Sequence, residues 1–131
     1  MGTRETSTTD AATATLAAPA GMHDWRARLR SATYALYRRL GERPALPAEE
    51  EIDELVDLID EGRDESSSPS TLTRVTAEAL GGAISHELSF AALGGSPPES
   101  QLVPTLMYSA VLPYAGAAAA AEELRTPPPP R

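Results

Sequence analysis

The chain has 131 residues, a length that fits a single domain with a modest core. It contains no cysteine, which excludes disulfides, thiolate metal sites and a cysteine nucleophile. Its formal net charge is −8, and nucleic acid repels an acidic chain of this size unless its charges are segregated. Much of the apolar content is alanine, which favours helix over strand.

Three parts of the chain differ in composition. Residues 1–21 are rich in Thr, Ala and Ser and have few large apolar side chains, so we expect disorder there. Residues 22–126 carry helical periodicity, and residues 127–131 form a proline-rich tail. The longest apolar run, Ala115 to Ala121, is far below the ~20 residues of a membrane span. With no leucine-rich leader either, the sequence predicts a cytoplasmic chain without a transmembrane segment.

Two helices are predicted in the first half of the domain. The first ends at Gly41 and Pro44, and its apolar stripe consists of Trp25, Leu29, Ala32, Leu36 and Leu40. The second begins near Pro47 and stops at Gly62. Its inner face consists of Ile52, Leu55, Val56, Leu58 and Ile59.

A third helix is predicted to run from Ser70 or Thr71 to Leu93. The apolar and small residues that recur on it at helical spacing are Leu72, Val75, Ala79, Gly82, Ala83, His86, Phe90 and Leu93. Gly81 and Gly82 each cost roughly 1 kcal/mol relative to alanine. Such a cost is easiest to understand where another backbone must come close.

A fourth helix is predicted after the start signal Ser96-Pro97-Pro98-Glu99. Pro104 lies near enough to that start to be tolerated, whereas Pro113 should kink or break the helix and leave a short last helix. The stripe of this helix consists of Leu102, Val103, Leu106, Met107, Ala110, Val111 and Tyr114. The predicted fold is therefore all-α, a small bundle of four to five helices.

The charged residues fall into two groups. Six arginines lie between Arg26 and Arg43, and ten acidic residues lie between Glu49 and Glu65. The simplest interpretation is two solvated helix faces of opposite sign that attract each other. The alternative is a phosphate-binding role for the arginines.

No catalytic, cofactor or metal site is predicted. His86 stands between Ser85 and Glu87, but neighbouring helical residues point in different directions and form no catalytic triad. The segment also lacks the second histidine of a zinc-protease helix. Gly81-Gly82 follows a helix rather than a strand and is no phosphate loop. We therefore expect no enzymatic activity.

Four stretches of the chain resemble the C-terminal half of TetR/AcrR-family transcriptional regulators. They are residues 25–30, 41–46, 58–63 and, most strongly, 102–116. In that family this half is helical, its last two long helices pair with their copies in a four-helix dimer interface, and earlier helices enclose an apolar effector pocket. The family's N-terminal helix-turn-helix domain has no counterpart in this sequence, so we expect no direct DNA binding by this chain alone.

The resemblance implies a homodimer and a small apolar effector. The implied dimer interface consists of Ala79, Gly82, Ala83, Leu102, Val103, Leu106, Met107 and Ala110. The residues best suited to line an effector pocket are Trp25, Tyr34, Tyr37, His86 and Phe90, although aromatic residues at helical spacing usually pack the core.

The predicted function is thus the effector-binding and dimerisation domain of a TetR-like regulator that lacks its own DNA-binding domain. The alternative is a stand-alone helical interaction protein that dimerises with related regulators.

Overall fold

The computed structural model describes residues 24–43, 46–66, 72–94 and 97–130. The predicted disordered segment 1–21, Pro44, Ser96 and the predicted helix start at Ser70 or Thr71 lie outside these residues. The described part is all-α, as predicted, with four α-helices and no strand. The helices are α1 (Asp24–Glu42), α2 (Glu49–Asp60), α3 (Arg74–Gly94) and α4 (Glu99–Arg125), and a 3₁₀ helix (Glu61–Glu65) follows α2.

The apolar stripes predicted for α1 and α2 form the first half of the core. Leu29 and Ile59 are completely buried, and Leu40, Leu55 and Val56 are nearly so. At the start of α2, the Glu51 side chain turns back and accepts the backbone N–H of Ala48 at 2.8 Å. This contact satisfies an N–H group that the helix leaves without a partner, so it fixes where α2 begins.

The helix α3 buries a different side from the stripe singled out in the sequence. Its buried residues include Ala77, Gly81, Ile84, Leu88 and Ala91. At Gly81 an added Cβ would lie 2.5 Å from Cγ2 of Val56, so the close approach expected at the glycine pair occurs here between α2 and α3. At Gly82 an added Cβ would meet nothing within 4 Å. Both sides of α3 repeat at about 3.6 residues, so periodicity alone did not distinguish the inner side from the outer one.

The backbone of α4 is interrupted at Gly116 and not at Pro113, where the sequence predicted a break. Among the described residues, Gly116 is the one with positive φ (φ 91°, ψ 172°), a region that is essentially restricted to glycine. Pro113 is exposed and remains within the helix, as does the buried Pro104. The change of direction therefore comes three residues later than predicted.

By length and composition alone, α4 suffices to cross a membrane, although a core helix of a folded domain passes the same test. The sequence prediction of no transmembrane segment relied on the longest uninterrupted apolar run. The apolar residues of α4 are instead spread over 27 residues with polar ones between them. Val103, Met107 and Val111 are buried within the helical bundle.

Candidate interaction surface

The most unusual surface of the described chain is the solvent-facing side of α3. Val75, Phe90 and Leu93 are 67%, 70% and 70% exposed. Four further exposed residues lie between them on the same side, and we call the seven together the outer face of α3: Val75, Ala79, Gly82, Ala83, His86, Phe90 and Leu93. Steps of three and four residues keep this set on one side of a helix. The face lies opposite the one that packs on α2.

The outer face of α3 has a regular layout along and across the helix. Its large apolar side chains stand near the ends, and its small residues Ala79, Gly82 and Ala83 stand in the middle. At about 100° per residue, the exposed Glu78 and Glu87 fall on the two opposite edges. An apolar centre with charged borders is the pattern of a helix that pairs with another helix.

The residues predicted for a dimer interface divide into two groups. Ala79, Gly82 and Ala83 are exposed on the outer face of α3. The five from α4 instead lie in the core of the chain: Leu102, Val103, Leu106, Met107 and Ala110. These five therefore take part in the packing of the single chain, which leaves them little surface for a partner in this fold. Their part in a dimer interface stays a prediction.

The five residues predicted to line an effector pocket do not come together. Trp25 and Tyr34 are buried, and Tyr37 is half-buried. His86 and Phe90 lie on the outer face of α3, which points away from the core. The expected wall of α3 is therefore missing, because the side of that helix that turns inward carries Ile84 and Leu88 instead.

Trp25 is buried and is held by a hydrogen bond and an aromatic contact. Its indole N–H donates to the Leu58 carbonyl oxygen at 2.7 Å. Its ring meets Tyr114 edge to face, with ring centroids 5.6 Å apart and planes at 69°. This arrangement is typical of aromatic packing in a core.

Two buried tyrosines end in hydroxyl groups that make no hydrogen bond within the described structure, those of Tyr34 and Tyr114. Burial raises the pKa of Tyr34, and the nearby Glu99 carboxylate raises it further. Burial likewise raises the pKa of Tyr114, followed by the effect of Asp60. Both groups therefore stay neutral in the folded protein to higher pH than an exposed tyrosine.

The arginines of α1 are paired with carboxylates. Arg39 donates to Glu51 through two bonds of 2.7 Å, and Arg28 donates to Glu61 at 2.8 Å. These two pairs join the basic and acidic segments that the sequence predicted to attract each other. Arg26, Arg30 and Arg38 contact acidic residues of α4 instead. Five of the six arginines are therefore engaged by carboxylates of the chain itself.

The acid that receives two of these arginines is completely buried. The Glu123 side chain has no exposed surface, and it accepts two bonds from Arg30 at 2.8 and 2.9 Å and one from Arg26 at 3.0 Å. Sequence reasoning missed this site because Glu122 and Glu123 look equivalent in the sequence. The four-residue spacing of Arg26 and Arg30 puts both on one side of α1 and was the available signal.

A charged cleft of about 480 Å³ opens beside the 3₁₀ helix and the start of α3. Within it Arg74 donates to Asp57 at 2.6 Å, a bond that raises the pKa of Arg74, and Arg63 donates to Asp60 at 2.7 Å. In the described ranges no group of three or more His, Asp or Glu side chains is arranged to hold a metal ion. Both arginines that line the cleft are thus paired with its own carboxylates.

Comparison of the chain with protein-family models, with curated proteins and with solved structures found no match. The resemblance to TetR/AcrR-family regulators therefore stays a prediction from the sequence.

Proposed function

We propose that this chain is a dimerisation domain of the TetR-like kind, in which the outer face of α3 pairs with the same face of a second copy. The observation that carries the proposal is the exposure of Val75, Phe90 and Leu93 along one side of a single helix. Burying a side chain of this kind is worth about 1.5–3 kcal/mol. Large exposed apolar side chains that share one side of a helix favour an interaction site there.

The sequence of the face suits an antiparallel, two-fold arrangement. Val75 and Phe90 stand at equal distances along the helix on either side of Gly82 and Ala83. If the two-fold axis passes near this pair, Val75 of each copy lies opposite Phe90 of the other. The small residues at the centre allow two helices to approach closely, and the large ones close the ends of the contact.

The resemblance supports the dimer but not every residue first assigned to it. In the family two long helices of each subunit pair, whereas in this chain the apolar stripe of α4 is used in the core. The proposal therefore assigns the contact to α3. Effector binding stays a prediction from the resemblance, because Trp25 and Tyr34 fill the core in this structure.

The first test compares the association of Phe90→Asp with that of Leu46→Asp by light scattering at micromolar concentration. Leu46 is 79% exposed and lies between α1 and α2, so it provides a matched apolar-to-acid change away from α3. We expect the unchanged chain and Leu46→Asp to be dimers and Phe90→Asp to be a monomer that keeps its helical circular dichroism spectrum. A wild-type monomer, or a Phe90→Asp dimer, would refute the proposal.

A second test uses the absence of cysteine from the chain. A single cysteine can form a disulfide only with a second copy. Gly82→Cys, near the proposed two-fold axis, should cross-link quickly under mild oxidation. Glu54→Cys, exposed on α2, should not. Equal rates for the two variants would contradict the proposed pairing.

A further inference from the structure

The last part of the chain, residues 117–130, follows the kink at Gly116. It lies along α1 and not along the axis of the part of α4 that precedes the kink. We call it the C-terminal strap. From the start of α1 onward, the contacts advance in the same direction in both segments. Arg26 donates to the Ala119 carbonyl oxygen at 2.9 Å, and Arg30 contacts Glu123. Arg38 then donates to the Pro129 carbonyl oxygen at 2.9 Å. Arg26, Arg30 and Arg38 are separated by multiples of four residues and share one side of the helix.

The side of α1 under the strap is a well-formed binding site. Glu99 fixes the Arg38 guanidinium at 2.6 Å, and that guanidinium lies 5.3 Å from the Tyr34 ring centroid. The strap places a completely buried carboxylate, Glu123, between two arginines. Ala120, three residues earlier, is also completely buried. A charge is buried in this way only where its partners satisfy it, so the site is specific for this acidic segment.

The bend that returns the strap to α1 depends on one residue. Gly116 has dihedral angles that are restricted to glycine, while an added Cβ at this position would meet nothing within 4 Å. The constraint therefore comes from the backbone and not from space. The alanines at positions 117–121 favour a continuous helix, so local preference opposes the bend. The contacts with α1 hold the bent form.

A straight α4 would direct the strap away from its own α1. The residues from 117 to 125 would extend the helix by about 13 Å, at 1.5 Å per residue. Glu123 would leave Arg26 and Arg30, and the site on α1 would be open. When a terminal segment can be bent or straight at one hinge residue, two identical chains can exchange that segment.

We infer that the site on α1 binds the C-terminal strap of a second copy of this chain when α4 straightens at Gly116, so that Glu123 of each copy pairs with Arg26 and Arg30 of the other. The segment that binds the site on α1 and the contacts that it makes there are the same in both forms. Only the chain to which that segment is connected differs. This contact is separate from the outer face of α3 and does not depend on it. Within one chain the short connection gives the strap a millimolar effective concentration, which favours the bent form.

The experiment measures paramagnetic broadening between two chains. A nitroxide is attached to Leu124→Cys, which is 51% exposed, in an unlabelled chain that also carries Gly116→Ala. This chain is mixed with an isotope-labelled Gly116→Ala chain that has no nitroxide. We expect broadening of the α1 amides between Arg26 and Arg38 in the labelled chain. Pairing through α3 alone leaves these amides unaffected, so the result separates the two proposals.

Two controls make the result specific. Glu123→Gln in the nitroxide-bearing chain should lower the affinity between the two chains at least tenfold and remove most of the broadening. Glu122→Gln removes only an exposed ion pair with Arg26 and should lower the affinity by less than about fivefold. Gly41→Ala in place of Gly116→Ala should give no broadening at concentrations well below millimolar, because Gly41 has helical dihedral angles and an added Cβ there meets nothing within 4 Å. Absence of broadening in the Gly116→Ala mixture would overturn the inference.

A second measurement covers the case in which Gly116→Ala does not fold. The same mixture is then prepared with Gly116 retained and with protein raised to millimolar concentration, where exchange competes with the connection inside one chain. Broadening that increases with concentration and disappears with Glu123→Gln supports the inference. No broadening under these conditions overturns it.

Discussion

The arginine-bearing side of α1 is covered in this fold, whereas the outer face of α3 is exposed to solvent. The first is highly charged, yet the chain covers it with its own C-terminal strap and pairs Arg26, Arg30 and Arg38 with carboxylates. The second is apolar, yet Phe90 and Leu93 remain 70% exposed. Burial of apolar surface is the main driving force of folding, so a bare apolar helix beside a covered charged one requires a reason. The proposed association with a second copy would supply it.

The comparison also shows how each surface achieves specificity. The contacts of α1 are directional, because a buried carboxylate tolerates only partners at hydrogen-bond distance. The contacts offered by α3 depend on shape, with small residues at the centre and large ones at the ends. A substitution should therefore act on stability at α1 and on association at α3, and three further predictions test this division.

The largest expected effect is a loss of folding stability when a residue on the core side of α4, rather than on the outer face of α3, is replaced. Leu106→Asp places a carboxylate at a position that is 9% exposed and surrounded by core residues. We expect the free energy of unfolding to fall by at least about 3 kcal/mol, enough to unfold a marginally stable domain. Leu106 is also one of the interface residues that the family resemblance implies, and at such an interface the same substitution would separate subunits. Circular dichroism with chemical denaturation measures the outcome, and a folded Leu106→Asp monomer would restore the original assignment.

An intermediate effect is expected where the strap meets α1. Glu123→Ala removes the buried carboxylate and leaves Arg26 and Arg30 without their shared partner, which should cost about 3 kcal/mol. Glu122→Ala, one residue earlier, removes a carboxylate that is 56% exposed and should cost less than about 1 kcal/mol. Denaturation of the pair in parallel checks this difference. Equal losses would mean that Glu123 is solvated.

The smallest effect concerns the buried tyrosine hydroxyl groups and high pH. Burial raises the pKa of Tyr34 above its ordinary value of 10.0. As the pH rises past that value, the unfolded chain releases this proton while the folded chain keeps it, so stability falls until the folded-state pKa is reached. Tyr34→Phe removes the group and should make this alkaline loss shallower, with a change within about 1 kcal/mol at neutral pH. Identical slopes in the two proteins would show that Tyr34 is not protected from titration.

Much of the secondary structure could be predicted from local patterns. The stripes of α1 and α2 follow from a periodicity that acts within a few residues. The signal Ser96-Pro97-Pro98-Glu99 located the beginning of α4, but the helix starts at Glu99 after Pro98, and the Glu99 carboxylate binds Arg38 instead of capping the helix. The break in α4 was misplaced because proline carries a strong local signal at Pro113, whereas Gly116 becomes a bend only when Glu123 finds Arg26 and Arg30. A glycine permits the bend, and long-range contacts select it.

The sequence by itself determined that the chain is helical, because the period of its apolar residues and its alanine content are local properties. The tertiary structure decided which side of each helix faces inward. On α3 both sides repeat at about 3.6 residues, and only the close approach of Gly81 to Val56 places Ile84 and Leu88 inside and Phe90 outside. It also distinguished Glu123 from Glu122, since the burial of a charge depends on partners 93 and 97 residues away along the chain. Those distances in sequence are beyond the reach of any local pattern.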